Sequence, residues 1–171
     1  MFRLLILLCA AIAMGGCAGP EGPANRLTKA NVLPMALDDS FQIRKILQTN
    51  YDATAIAPVT KSDAAMFERE RWSWGAVDYT DLRERSGNSY KVFWRNKQSS
   101  DVTVRLEYRQ TGLGNYVLAK ERTYPATRGS HRSSFDVLGD EYIENGRVTA
   151  WRILLIVDGK IVAFRQSYIW K

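Results

Sequence analysis

His131 is the first residue to consider for catalytic chemistry, because it is the only histidine among the 171 residues. It lies in the segment 127–132, which offers no carboxylate to orient its ring, so neither a nucleophile triad nor a metal site can be assembled around it. A phosphate-cradling loop, a dinucleotide fingerprint, zinc-ligand spacing and a nucleophile elbow are all missing from the sequence. We therefore predict an exposed hairpin histidine in a chain that is not an enzyme and has no catalytic, cofactor or metal site.

Two charged segments have residue types that bind ions. Arg128 and Arg132 lie on either side of the turn-forming Gly129, and two guanidinium groups at this spacing make the loop a candidate anion-binding site. A turn flanked by solvated arginines is the alternative interpretation. The acidic segment 140–144 lacks the alternating oxygen ligands of a calcium loop, and it predicts a polar connection with one helical turn.

The first sixteen residues have the pattern of an export signal. Arg3 precedes an apolar run from Leu4 to Ala13 that is too short to span a bilayer. Removal of this segment discards Cys9 and leaves Cys17 as the last thiol, so no intramolecular disulfide can form.

Cys17 follows Met14-Gly15-Gly16, and these four residues resemble a bacterial lipobox. The resemblance implies that Cys17 carries a diacylglycerol thioether and becomes the mature N-terminus. Several acyl chains form an effectively permanent membrane anchor. Ala18 stands where the inner-membrane retention signal would be aspartate, which implies transfer to the outer membrane. The alternative is ordinary cleavage after Ala13, which would leave Cys17 as an exposed thiol.

The charge balance favours an anionic neighbour. The chain has 24 basic and 18 acidic residues and a net charge of +6 at pH 7. After loss of the export signal, the whole excess lies in residues 67–171. Anionic lipid or glycan suits an exported protein better than nucleic acid, because the cations are scattered rather than gathered in a basic helix.

The residues between the anchor and position 67 predict a tether and a helix. Residues 17–36 begin with a Gly- and Pro-rich stretch and read as a flexible tether. From Leu37 to Tyr51, the apolar residues Ile43, Ile46 and Leu47 recur at helical spacing and predict a short amphipathic helix. Within residues 37–66, a further turn is predicted at 60–66, and the whole segment is expected to pack on the following domain.

Residues 67–171 predict a β domain. Seven segments have strand character, at residues 71–79, 90–96, 102–109, 116–124, 133–137, 148–157 and 161–170. Turn residues separate them at 86–88, 111–115, 145–146 and 158–159. About seven short strands without crossover helices indicate an antiparallel β-sandwich, and their number and spacing resemble an immunoglobulin or fibronectin type III module.

Asp158-Gly159 predicts a two-residue hairpin, which allows the pairing of the last two strands to be written down. That register places Leu155, Ile153 and Trp151 on the core face, opposite Val162, Phe164 and Gln166. On the other face it places Arg152 opposite Arg165, a like-charge pair that needs an anionic partner. The predicted partner is an internal carboxylate, Glu107 or Glu121, and the alternative is a ligand or another protein.

The same outer face carries aliphatic side chains that need a cover. We predict that the helix at 40–50 supplies this cover, and the alternative is docking of another envelope protein. The candidate interaction face comprises Arg152, Leu154, Ile156, Ile161 and Arg165.

The tryptophans favour a core role over ligand binding. Trp72, Trp74, Trp94, Trp151 and Trp170 all lie in the predicted β domain, and an exposed row of them would indicate sugar binding. The leading functional hypothesis is a lipid-anchored, non-enzymatic interaction or assembly module of the bacterial envelope, at the periplasmic face of the outer membrane. The alternatives are a glycan- or other ligand-binding module and a hydrolase with an unrecognised site.

Overall fold

The computed structural model describes residues 22–27, 30–51, 76 and 78–170. Its elements are β1 (Asn25–Leu27), β2 (Phe41–Tyr51), α1 (Tyr79–Arg85), β3 (Gly87–Gln110), β4 (Leu118–Leu138), α2 (Asp140–Asn145), β5 (Val148–Val157) and β6 (Lys160–Gln166). The export signal, Cys17, the turn at 60–66 and most of the strand predicted at 71–79, including Trp72 and Trp74, lie outside the described residues. The strands β1 to β6 form one antiparallel sheet, which confirms a mainly β, antiparallel fold.

The sheet is built on one long β3–β4 hairpin. β4 pairs with β3 along nearly its whole length, while β2 pairs with the first half of β3 and β5 with its second half. The β3–β4 register shifts between Asn96 and Val102, where Ala126 and Gly129 of β4 have φ values of 47° and 98°. Such irregularities bend a strand pair without ending it. The segments predicted at 90–96 and 102–109 are therefore one strand, as are those at 116–124 and 133–137.

The core draws on both halves of β3. Tyr90, Val92 and Trp94 from the first half share one buried cluster with Val104 and Leu106 from the second half. Even-numbered β3 residues thus face the core on both sides of the bend, as the period of two in a strand requires.

The helix predicted over Leu37 to Tyr51 is wrong, because residues 41–51 form β2 and pair with β3. Between Ile43 and Lys45 the register shifts by one residue. This bulge puts Ile43 and Ile46 on the same side of the strand although they are three positions apart, which imitates helical spacing. An isolated helix of about ten residues is marginal in water, whereas the edge of β3 offers a full ladder of hydrogen bonds.

The tether predicted over 17–36 is wrong for its later part. Asn25–Leu27 pairs with β4 as β1, and Pro34 and Ala36 form backbone hydrogen bonds with Ile161 of β6. The loop predicted at 127–132 is also wrong, since these residues belong to β4 at the bend.

The two short helices stabilise the end of the sheet where β3 begins. Asp78 caps α1 by accepting a hydrogen bond from the Asp81 backbone, and Arg83 pairs with Asp140 of α2 at 2.9 Å. The helical turn predicted at 140–144 is confirmed as α2. Glu141 on this helix accepts hydrogen bonds from Lys120, at 2.7 Å, and from the Tyr108 hydroxyl.

Two fully buried tyrosines provide a matched test of this core. Burial raises the pKa of both Tyr90 and Tyr108 above the usual range, and the Glu141 carboxylate raises that of Tyr108 further. Both hydroxyls therefore stay protonated, but within the described part of the chain only that of Tyr108 has a hydrogen-bond partner. We expect Tyr90→Phe to raise the free energy of unfolding by about 1 kcal/mol and Tyr108→Phe to lower it by about 1 to 2 kcal/mol. Urea denaturation of both variants measures this, and equal losses in the two would contradict it.

Candidate interaction site on the outer face of β5

The predicted hairpin is present, but its register holds for only two residue pairs. Asp158 and Gly159 both have positive φ, and Val157 pairs with Lys160 and Ile156 with Ile161, as predicted. The register then shifts, so that Leu155 pairs with Ala163 instead of with Val162.

This β6 bulge changes the face on which the following residues lie. Arg152 is opposite Gln166, and Arg165 is opposite Ile153, so the predicted Arg152–Arg165 pair is wrong. Phe164, which we predicted to be in the core, is on the outer face opposite Leu154 and is 37% exposed. Arg165 therefore leaves the candidate interaction face.

The anionic partner of Arg152 is the carboxylate of Glu107, which confirms one of the two predicted candidates. Glu107 Oε2 accepts from Arg152 Nε at 3.0 Å and from Arg152 Nη2 at 2.5 Å. Arg105 lies 3.5 Å from the other Glu107 oxygen and also pairs with Glu121. Glu107 and Arg105 are 4% and 7% exposed, so this chain of four charges across β4, β3 and β5 is largely buried and internally neutralised.

An extended segment, not a helix, covers the aliphatic part of the face. Leu33 packs on the buried cluster of Leu154, Ile156 and Ile161. The backbone of Ile161 donates to Pro34 O and accepts from Ala36 N, both at 2.9 Å. We call residues 30–36 the strap.

The strap also contacts the charged part of the face. Its Asn31 carbonyl accepts a hydrogen bond from Arg105 at 3.0 Å. Nothing in the composition of residues 30–36 predicts this role. The missed signal is Leu33 and Met35 with period-two spacing in a segment that we assigned to the tether.

A cavity of about 560 Å³ remains between the strap and the sheet. Glu107, Arg109 and Arg152 line one side of it, together with Trp170. The guanidinium carbons of Arg109 and Arg152 lie 4.8 Å and 5.0 Å from the Trp170 ring centroid, which is cation–π distance. The rim of the cavity, unlike this charged side, is formed by exposed apolar side chains. Val32, Met35 and Tyr116 at the edge are 99%, 58% and 56% exposed.

The exposed apolar surface extends along the chain next to Trp170. Tyr168 and Ile169 are 95% and 65% exposed. The site therefore combines a floor of largely buried ion pairs with an apolar rim, and its volume lies in the range of ligand-binding cavities.

The other predicted site residues lie apart from this cavity. His131 is half-buried rather than exposed, because its ring stacks on Trp94 at a centroid distance of 4.7 Å and its Nε2 is 3.1 Å from Arg128 O. Arg128 and Arg132 are both exposed in β4, Arg132 directly opposite Phe93 and Arg128 at the bend.

The described tryptophans form no exposed row. Trp94 and Trp170 are 1% and 7% exposed, and Trp151 is half-buried with its indole nitrogen 3.1 Å from Gln48 Oε1. Trp72 and Trp74, the other two tryptophans of the predicted β domain, lie outside the described residues.

Over the same residues, no group of three or more His, Cys, Asp or Glu side chains is placed to hold a metal ion. None of the helices found there is long and apolar enough to cross a bilayer. Comparison with protein-family models, curated proteins and solved structures found no match for this chain.

Proposed function

We propose that this chain is a lipid-anchored, non-enzymatic interaction module of the bacterial cell envelope, held at the periplasmic face of the outer membrane through Cys17. Its bent sheet is proposed to be a β-sandwich of the immunoglobulin-like type. The observation that supports an interaction role is the cavity beneath the strap, with its exposed apolar rim.

The occupant we propose is an apolar segment of another envelope protein. Val32 and Tyr168 are almost fully exposed, and large apolar side chains grouped around a cavity mark a docking surface. The floor favours a protein ligand, since Glu107 already neutralises Arg152 and the walls supply Leu154 and Ile161 for apolar contact. A side chain entering the cavity would meet a preorganised surface, as binding hot spots require.

Replacing Val32 with a photoreactive residue tests this role in living cells. We expect a single covalent adduct at Val32 and none at Leu37, which is 62% exposed but outside the rim. The partner identified from that adduct is then purified and titrated against the double variant Val32→Asp, Met35→Asp. Two lost apolar contacts of about 1.5 kcal/mol each should weaken binding by about 100-fold.

Leu37→Asp is the control, and it should bind like the wild type. Equal weakening in both variants would contradict the assignment of the surface. The anchor is tested by the intact mass of the mature protein, which should start at Cys17 and carry the acyl groups. An unmodified chain starting at Met14 would contradict lipidation.

A further inference from the structure

A second surface, on the first halves of β2, β3 and β4, carries unusual positive charge. Across the three strands, Lys45, Phe93 and Arg132 are directly opposite one another, so all three side chains lie on the side away from the core. Arg95 and Lys91 occupy the adjacent rows on the same side. The four cations Lys45, Lys91, Arg95 and Arg132 are all exposed, and we call them the basic face.

Among the described residues, no carboxylate neutralises the basic face. In the described chain, none of its four cations lies in a salt bridge, whereas Arg105, Arg152 and Lys120 each contact a carboxylate. The nearest acidic residue in the register is Asp136, opposite Ser89, beyond the row of Lys91. Asp136 accepts a hydrogen bond from the Ser89 hydroxyl at 2.6 Å.

The spacing of these charges suits a planar array of anions. Neighbouring strands are about 4.8 Å apart and alternate residues about 6.6 Å apart, so the cations spread in two dimensions over the sheet. A linear polyanion would instead bind along a stripe of positive charge, and a small anion would bind in a pocket. None of the four cations lines the cavity beneath the strap.

Apolar side chains lie among the cations. Phe93 is half-buried at the centre of the basic face, and Leu47, opposite Lys91, is 39% exposed. Aromatic and aliphatic groups beside lysine and arginine are typical of protein surfaces that contact the boundary between lipid headgroups and acyl chains.

We propose that the basic face docks on an anionic phospholipid bilayer, with lipid phosphates paired to Lys45, Lys91, Arg95 and Arg132. This inference rests on the proposed function only in that the anchor would place the domain beside a membrane. The basic face and the cavity share no residue, so docking on lipid leaves the cavity available for a protein.

The test uses the full chain carrying Cys17→Ser, which cannot be acylated, so docking is measured apart from anchoring. Its binding is compared on vesicles of phosphatidylcholine alone and of equal parts phosphatidylcholine and phosphatidylglycerol. Any apolar attachment of the N-terminal segment contributes equally to both. We expect tighter binding to the anionic vesicles, lost when salt is raised to about 0.5 M, where screening acts within a few ångströms.

The decisive variant replaces Lys45, Lys91, Arg95 and Arg132 by glutamine. Each cation near an anionic surface contributes about fivefold, so the variant should bind anionic vesicles at least about 100-fold more weakly. Removing four like charges relieves repulsion, so its urea midpoint should not fall. The matched control replaces four exposed cations elsewhere, Arg26, Arg147, Lys160 and Arg165, with the same loss of net charge.

The control and the Val32→Asp, Met35→Asp variant should retain the binding of the parent chain. Equal losses in the two glutamine variants would overturn the proposal, because net charge alone would then explain binding. Equal binding of the parent chain to neutral and anionic vesicles would also overturn it. Polyglutamate serves as a probe for an acidic protein partner. A glutamine variant that loses affinity for polyglutamate but keeps its affinity for vesicles would also overturn the proposal, because this result would indicate an acidic protein as the partner.

Discussion

Glu107→Gln is expected to lower the free energy of unfolding by about 3 to 5 kcal/mol, the usual result of removing one partner from a buried ion pair. Glutamine keeps the volume of the side chain but removes the charge that neutralises Arg152 and part of Arg105. The side chains of Glu107 and Arg105 are only 5% and 8% exposed, so water solvates the remaining charge on Arg105 poorly. Urea denaturation followed by tryptophan fluorescence measures the change.

Two further variants separate charge from packing. Glu84→Gln removes an exposed carboxylate and should change the free energy of unfolding by less than about 0.5 kcal/mol. Adding Arg152→Gln to Glu107→Gln removes the orphaned cation and should recover part of the loss. A Glu107→Gln variant as stable as the wild type would show that the network contributes no stability.

Removing residues 22–35 is expected to cost about 4 kcal/mol of stability. The strap covers Leu154, Ile156 and Ile161. Full exposure of each aliphatic side chain to water would cost about 1.5 to 3 kcal/mol, and the truncation exposes each of them only in part. The truncation also removes Pro34, the acceptor of the Ile161 N–H at the edge of β6, and unpaired edges associate with other chains. Urea denaturation and size-exclusion chromatography at several concentrations measure both effects.

Leu33→Ala tests the cover without removing the backbone bonds. It should lower stability by about 1 to 2 kcal/mol, while Leu37→Ala, at an exposed position, should have little effect. A truncated chain that stays monomeric with unchanged stability would show that the strap does not hold the outer face closed.

Local patterns predicted the parts of this fold that local chemistry decides. Three of these predictions are correct: the core position of Ile153 and Leu155 in β5, the turn at Asp158-Gly159 and the helical turn at 140–144. A carboxylate partner for Arg152 was also predicted, and Glu107 is that partner. The prediction was argued from a like-charge pair with Arg165, however, which the register does not contain. The first three features depend on residues that are near in sequence, and the carboxylate beside Arg152 reflects the general need of a largely buried charge for a partner of opposite sign.

The tertiary structure decided the features that depend on strand phase and on distant partners. One extra residue at each bulge, beside Ile43 in β2 and at Val162 in β6, reverses the side on which the following residues lie. Hydrophobic spacing therefore predicted a helix within 37–51, and a hairpin register without a bulge placed Arg165 opposite Arg152. In the sequence, the bend in the β3–β4 hairpin was interpreted as the ends of separate strands, because glycine and polar residues are common both in bulges and in turns.

The candidate site itself came from packing between segments far apart in sequence. Whether residues 30–36 remain a tether or become a strap depends on Ile161, 125 or more positions away, which offers both backbone groups and an apolar surface. The basic face arises in the same way, since Lys45, Phe93 and Arg132 are scattered in the sequence and become neighbours only through the register of three strands. The sequence by itself thus determined a mainly β chain with an excess of positive charge, while strand pairing decided where the charge gathers and what covers the apolar face, because those contacts are non-local.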